Sequence, residues 1–187
     1  MDITREKKKL RQERFLINQS ISPQTVQDAS KRIAELVTAL PAFMEARSIF
    51  CYVSMGYEIN TQMILEAALQ RGKILSVPKC LGHGLMEARI IHRTEELERG
   101  FFGLKEPPLE SERLDSPELC IMPCVAYTEN AIRLGHGGGY YDRYLAAHPG
   151  MKTVMLAGSW QFCVCIPYDD NDRKADCVIT ERTMIGR

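Results

Sequence analysis

Short, continuous runs of apolar residues bounded by turn formers do most to limit how this chain can fold. They are Ser48–Val53, Ile74–Val77, Leu119–Met122, Thr153–Ala157 and Cys177–Thr180, with Leu85–Ile91 as a further strand. Pro78 is expected to stop the second run and Pro123 the Leu119 run. Helical patterns alternate with these strands. A basic helix is predicted over about residues 3–18, with Ile3, Leu10 and Ile17 one heptad apart. Ser22-Pro23 opens a second helix, whose buried stripe is Val26, Ala29, Ile33, Leu36, Val37 and Leu40, and Pro41 ends it. Asn60 caps a third that runs to about Arg71, where Gly72 closes it. Thr94–Arg99 reads as a helical turn, and Glu106–Pro117 as a long surface loop. Strands without polar alternation are buried on both faces. Their alternation with helices predicts an α/β fold around a largely parallel sheet. Ligands then bind beyond the carboxyl ends of the strands, so the segments after Val53, Val77 and Met122 are where a site is expected.

The 187 residues suit a single domain spanning 1–187. Lys+Arg and Asp+Glu are both 24, so no bulk positive charge is available to hold a nucleic acid. Any phosphate recognition must come from a local arrangement of groups. The seven cysteines are an odd number, without paired CxxC elements, and several sit in apolar runs such as Cys163-Val164-Cys165-Ile166. They read as buried free thiols in a reducing compartment rather than as disulfides or a zinc site. No run approaches the roughly 18 apolar residues of a membrane span. The N-terminal sequence lacks the apolar core of a signal peptide. A cytoplasmic protein is expected.

Arg133-Leu134-Gly135-His136-Gly137-Gly138-Gly139-Tyr140-Tyr141-Asp142-Arg143 is the most informative segment. Its glycines let the backbone approach a ligand and aim several N–H groups at one anion. The helix-forming residues that follow add the positive end of a helix dipole. Arg133 and Arg143 flank the loop with fixed charge, and Asp142 offers a carboxylate to a magnesium ion beside phosphates. The combination points to a nucleotide phosphate site. It matches neither GxGxxG nor GxxxxGK[ST].

Arg133 to Leu145 closely resembles the signature of the 5-formyltetrahydrofolate cyclo-ligase family, whose members are also called methenyltetrahydrofolate synthetases. The resemblance runs along nearly the whole chain. Lys7-x-x-x-Arg11 looks like the family's ATP-binding basic pair, and Ser54-Met55-Gly56-Tyr57-Glu58-Ile59 like its folate segment. Val77-Pro78-Lys79, Phe101–Gly103 with Glu106-Pro107, and Asn171-Asp172 through Glu181 fall in the family's order. Tyr127 to Ile132 departs from it, because relatives usually carry Phe-Asp and a glycine before Arg-Leu-Gly. The resemblance implies a three-layer α/β/α sandwich. It also implies the reaction: 5-formyltetrahydrofolate and ATP give 5,10-methenyltetrahydrofolate, ADP and phosphate. The formyl oxygen takes the γ-phosphoryl group, N10 closes the ring and phosphate leaves.

The same resemblance implies roles for individual residues. Lys7, Arg11, and Arg133, Leu134, Gly135, His136, Gly137, Gly138, Gly139, Tyr140 and Tyr141 would bind ATP. Val53, Met55 and Glu58 would bind the folate, together with His136, Gly137, Gly138, Gly139 and Tyr140. Glu58 would accept hydrogen bonds from the pterin. Arg133 and Asp142 would act in catalysis, and Asp142 and Asp172 would hold Mg²⁺, with Asp176 as an alternative. By spacing alone, the preferred readings are a solvated helix face for Lys7 and Arg11, a loop acid for Glu58 and a turn residue for Asp172, and only the resemblance reverses them. The expected partner is a small-molecule folate, with no nucleic acid beyond ATP and no membrane, and the expected state is a monomer. Two other readings compete: a folate- or nucleotide-binding module without activity, and an ATP-independent enzyme of similar architecture. ATP-dependent turnover separates all three.

Overall fold

A computed structural model describes residues 2–100 and 103–186. Phe101 and Phe102, part of one family-like match, lie outside the described residues. The chain begins with helices α1 (Ile3–Ser20), α2 (Pro23–Ala39) and α3 (Pro41–Glu45), then strand β1 (Ser48–Cys51) and helix α4 (Gln62–Gln70). Strands β2 (Ile74–Gly82), β3 (Leu85–Ile91), β4 (Glu98–Arg99), β5 (Lys105–Glu106), β6 (Leu119–Pro123), β7 (Ala126–Tyr127) and β8 (Arg133–Leu134) follow. Helix α5 (Tyr140–Ala147) precedes β9 (Lys152–Leu156), β10 (Cys177–Ile179) and β11 (Met184–Gly186). Short 3₁₀ turns cover Thr94–Glu96 and Ser159–Gln161.

Seven strands form one sheet in the order β11-β10-β9-β6-β1-β2-β3. The five central strands are parallel, and β3 and β11 are antiparallel edges. Side chains alternate between two cores, as a doubly covered sheet requires. Ile49, Cys51, Leu119, Ile121, Val154 and Leu156 pack with Ile33 and Val37 of α2 and Ile64 and Leu65 of α4. Phe50, Cys120, Met122, Met155 and Val178 face the other way, against Tyr144 and Leu145 of α5. Each fully buried large apolar side chain contributes about 1.5–3 kcal/mol. The expected α/β layering is therefore present, on a mixed sheet.

The predicted helix starts hold. The Ser22 hydroxyl accepts from the Thr25 N–H at 3.1 Å, ahead of Pro23. Asn60 accepts from the Gln62 N–H at 2.8 Å, although the capping position itself is Thr61. Pro78, expected to stop a strand, lies inside β2. Register with β1 ends at Phe50↔Ser76, while pairing with β3 continues to Gly82. Beyond Val77 the β1-facing edge has no partner strand, so the missing N–H of proline goes unneeded there. The segment expected as a free loop, Glu106–Pro117, is laced to β3 through Ile90 N–H to Glu112 and Leu114 N–H to Ala88. Glu106 itself is buried.

Cys51, Cys120, Cys124, Cys163 and Cys177 are buried free thiols, as expected. Cys165 is exposed and its neighbour Val164 is 88% accessible, so the Cys163–Ile166 run buries only its two ends, Cys163 and Ile166. Burial pushes the Cys120 and Cys124 thiols up from 9.0 to about 12. Thiols raised in the folded state leave stability intact below the unfolded value and remove it as pH climbs toward the folded one. Urea midpoints should therefore hold up to pH 9.0 and fall steadily above it. Alkylation of the native protein should mark Cys165 first, with Cys120 and Cys124 reacting only on unfolding. Rapid native labelling of Cys120 would contradict this packing.

Candidate active site

The short hairpin β7–β8 delivers the glycine segment. Thr128 and Ile132 close its turn, with Ala131 at φ 56 in the left-handed region. Alanine thus adopts, in the departing stretch Tyr127–Ile132, a conformation that suits glycine. The loop Gly135–Gly139 follows, and Gly139 (φ 68) starts α5. Among the described residues, no backbone N–H from Gly135 to Gly139 donates to a protein acceptor. The loop carbonyls, by contrast, are taken: Arg11 Nε donates to Gly135 at 2.8 Å, and Arg143 Nη2 donates to Gly138. A row of unpaired N–H groups with cations behind it is an anion cradle.

Helix α1 closes the carboxyl-terminal end of the sheet. Leu10 packs on Val125, Ile132 and Leu134. Asn18, buried, donates to the Val125 carbonyl at 3.1 Å. This seats Lys7 and Arg11 over the loop. Lys7 Nζ pairs with Asp172 at 2.5 Å and Asp169 at 3.2 Å. Burial lowers the Arg11 pKa, Asp172 and Asp142 oppose that shift, and Arg133 reinforces it. The structure therefore brings the predicted Lys7, Arg11, Arg133, Asp142 and Asp172 into one electrostatic neighbourhood.

Arg133 is buried, its side chain 4% exposed, and donates Nη2 to Asp142 at 2.9 Å. Its Nε is buried with no partner among the described residues, and its guanidinium lies 5.4 Å from the Tyr141 ring centroid. Asp142 also accepts from the Arg173 N–H at 3.2 Å. Asp142 and Asp172 are thus each paired to a cation. No group of three or more His, Cys, Asp or Glu side chains capable of holding a metal occurs among the described residues. Asp176 lies elsewhere. It takes the Thr153 N–H at 2.8 Å and hydroxyl at 2.7 Å near the amino-terminal end of β9, the opposite pole of the sheet.

Past β1, Gly56 (φ 57) turns the chain back, and Glu58 is buried with its side chain 7% exposed. Its Oε2 accepts from the Met55 N–H at 2.9 Å, and its Oε1 lies 3.0 Å from His136 Nε2. The donor in that contact depends on the histidine tautomer: with a proton on Nε2 the carboxylate accepts. Met55 is exposed, and Val53 is half-buried against the core. A cleft of about 450 Å³ opens here, lined by Arg11, Phe15, Leu16, Tyr57 and His136 among others. The Phe15 and Tyr57 rings meet edge to face at 5.7 Å across it.

Two predicted ligand residues point inward. Leu134 is a core side chain that can reach a ligand only through its backbone. Tyr141 packs between the two cores and against Phe50, and burial pushes its phenol well above 10.0. Tyr140 is half-buried beside Gly138. Sequence reasoning missed Phe15 and, within the folate-like segment, gave Tyr57 no role of its own. The first stands four residues after Arg11 on the same helical face, which was a usable signal. It also missed Asp169, whose contact with Lys7 has no local signature. Two family-like segments meet in space: Lys79 pairs with Glu106 at 3.3 Å.

Comparison with known proteins places the chain in a family. The model of the 5-formyltetrahydrofolate cyclo-ligase family matches residues 3–181. A Schizosaccharomyces pombe protein named a probable 5-formyltetrahydrofolate cyclo-ligase is 29% identical, over 95% of this chain and 97% of its own. The Saccharomyces cerevisiae 5-formyltetrahydrofolate cyclo-ligase is 30% identical, over 80% of this chain and 83% of its own. The Aquifex aeolicus 5,10-methenyltetrahydrofolate synthetase structure superposes with a TM-score of 0.85 at 27% identity, covering 96% of this chain and 92% of that one. With the family model spanning residues 3–181 and a 30% identical relative covering 80% of the chain, this protein belongs to the 5-formyltetrahydrofolate cyclo-ligase family.

Proposed function

We propose that the protein converts 5-formyltetrahydrofolate to 5,10-methenyltetrahydrofolate with consumption of ATP in the presence of Mg²⁺. The observation that carries this reading is the 3.0 Å contact between His136 of the glycine loop and the buried carboxylate of Glu58. It joins an anion cradle to a hydrogen-bond acceptor suited to pterin N–H groups, at the edge of the cleft that His136 lines. An enzyme that must align a formyl oxygen with a γ-phosphoryl group needs that adjacency.

The N–H groups of Gly135–Gly139 fit the phosphates, with Lys7, Arg11 and Arg133 supplying positive charge. The unpartnered Nε of Arg133 supports the same assignment. Asp142 and Asp172 suit an ion held by one or two carboxylates plus substrate phosphates, which is how Mg²⁺ is usually bound. Bound there, Mg²⁺ would offset phosphate charge. ATP makes the formyl oxygen a better leaving group. Glu58 and His136 orient the pterin end, and Met55 and Val53 shield it. Arg11, Phe15 and Tyr57 line the cleft. We further propose that the chain acts as one domain, in the cytoplasm, as a monomer. No helix among the described residues is long and apolar enough to cross a membrane.

The deciding experiment follows near-ultraviolet absorbance of the methenyl product from purified protein, 5-formyltetrahydrofolate and Mg-ATP. Absorbance growth that requires both ATP and metal is the expected result. Binding of either ligand without turnover would replace the enzyme reading with a binding module. Turnover independent of ATP would replace it with a different reaction.

A further inference from the structure

The glycine loop is held through its carbonyl oxygens from two sides. Arg11 takes Gly135 from the α1 side at 2.8 Å. From the other side, Arg143 in the first turn of α5 donates Nη2 to the Gly138 carbonyl and Nε to the Gly84 carbonyl, the latter at 3.0 Å. Gly84 belongs to the tip of the β2–β3 hairpin, where Gly82, His83 and Gly84 all have left-handed φ values of 84, 50 and 74. His83 and Gly84 form the two-residue turn between β2 and β3, where a tight hairpin requires positive φ. Gly84 is buried, and a Cβ added there would overlap the Arg143 guanidinium and crowd the Gly138 carbonyl. No carboxylate among the described residues pairs with Arg143, so its charge stays available at the loop.

We propose that Arg143 is a positioning residue for nucleotide binding, clamping the glycine loop to the hairpin tip in its anion-accepting form. This rests on the nucleotide reading of the loop given above. A carbonyl oxygen turned toward a phosphate repels it. A guanidinium that captures the Gly138 carbonyl turns that oxygen away and leaves the N–H groups facing the ligand. The planar fork of arginine reaches two carbonyls at fixed angles, which a lysine ammonium cannot reproduce. The hairpin tip, remote in sequence, thereby sets the shape of the phosphate cradle.

The test titrates Mg-ATP and, separately, 5-formyltetrahydrofolate into wild type, Arg143→Ala and Arg143→Lys by calorimetry, with unfolding temperatures and steady-state constants alongside. Arg143→Ala should bind Mg-ATP about tenfold or more weakly, as expected for lost hydrogen bonds from a charged group. Its affinity for 5-formyltetrahydrofolate should be unchanged, KM for ATP should rise more than kcat falls, and lysine should restore only part of the loss. Equal Mg-ATP affinity in wild type and Arg143→Ala would overturn the positioning role while leaving the loop as a nucleotide site. Parallel losses for both ligands with a lowered unfolding temperature would make Arg143 merely structural, which also overturns it. A wild type that binds no Mg-ATP would remove the nucleotide reading and the proposal together. Should Arg143→Ala not fold, Arg143→Lys is judged by the same comparison of the two ligands.

Discussion

Asp142→Ala is expected to lower turnover by about 10²–10³-fold, the range for removing one preorganised charge-stabilising group. It should also lower the unfolding temperature. The reason for the second effect is Arg133. Its side chain is 4% exposed, Asp142 is its carboxylate at 2.9 Å, and its Nε already lacks a partner among the described residues. Deleting the carboxylate strands a buried cation, a change that typically costs about 3–5 kcal/mol. Asp142 is itself 24% exposed, so solvent reaches the pair and the lower end applies. About 3 kcal/mol corresponds to roughly 6–12 °C in a chain of this size. Asp142→Asn separates the two effects. It keeps the side-chain shape and an oxygen for the Arg173 N–H, so it should lose turnover with a smaller thermal shift. Thermal denaturation and the absorbance assay read the two quantities independently. Wild-type rates for Asp142→Asn at limiting Mg²⁺ would remove Asp142 from the metal assignment.

Glu58→Gln should weaken 5-formyltetrahydrofolate by about 10–100-fold, the equivalent of losing a hydrogen bond to a charged group. ATP binding should be untouched. Both Glu58 oxygens already serve as acceptors, for Met55 N–H at 2.9 Å and His136 at 3.0 Å. A glutamine has one oxygen and one amide nitrogen. Its NH₂ then opposes the Met55 N–H or faces His136, which can accept it only with the ring proton on Nδ1, and no full acceptor pair is left for the pterin. Separate KM values for the two substrates make the comparison. Equal losses for ATP and folate would mean that Glu58 shapes the glycine loop through His136 rather than receiving the pterin.

Several features were legible because they are local. The Ser22-Pro23 start, the buried stripe of α2 and the apolar strands are statements about which face of an element is oily, and periodicity carries that directly. The Arg133–Arg143 segment was legible for the same reason: glycines, arginines and an acid needed for one loop stand side by side. Lys7 and Arg11 were legible only through the family resemblance, since a basic helix face by itself has no preferred partner.

Other features depended on what packs against what. Pro78 looked like a strand end because a proline removes a ladder hydrogen bond, but β1 stops before reaching it. The antiparallel edges β3 and β11 follow from neighbours that no local pattern names. Tyr141, expected as a ligand contact, is partly buried and stacks its ring on Phe50, because the first turn of α5 presents that side to the core. Lys7 meets Asp169 and Asp172 across sequence separations of 162 and 165 residues, and Arg143 meets Gly84 across 59. The sequence by itself determined the layered α/β architecture, the glycine loop and the family, since all three are written in short-range patterns of size, polarity and backbone freedom. Only the tertiary structure decided which carboxylate answers which cation, and that Glu58 meets His136 of the glycine loop. Such pairings arise when distant segments are brought together, and charge or hydrogen-bonding capacity leaves no trace of its partner along the chain.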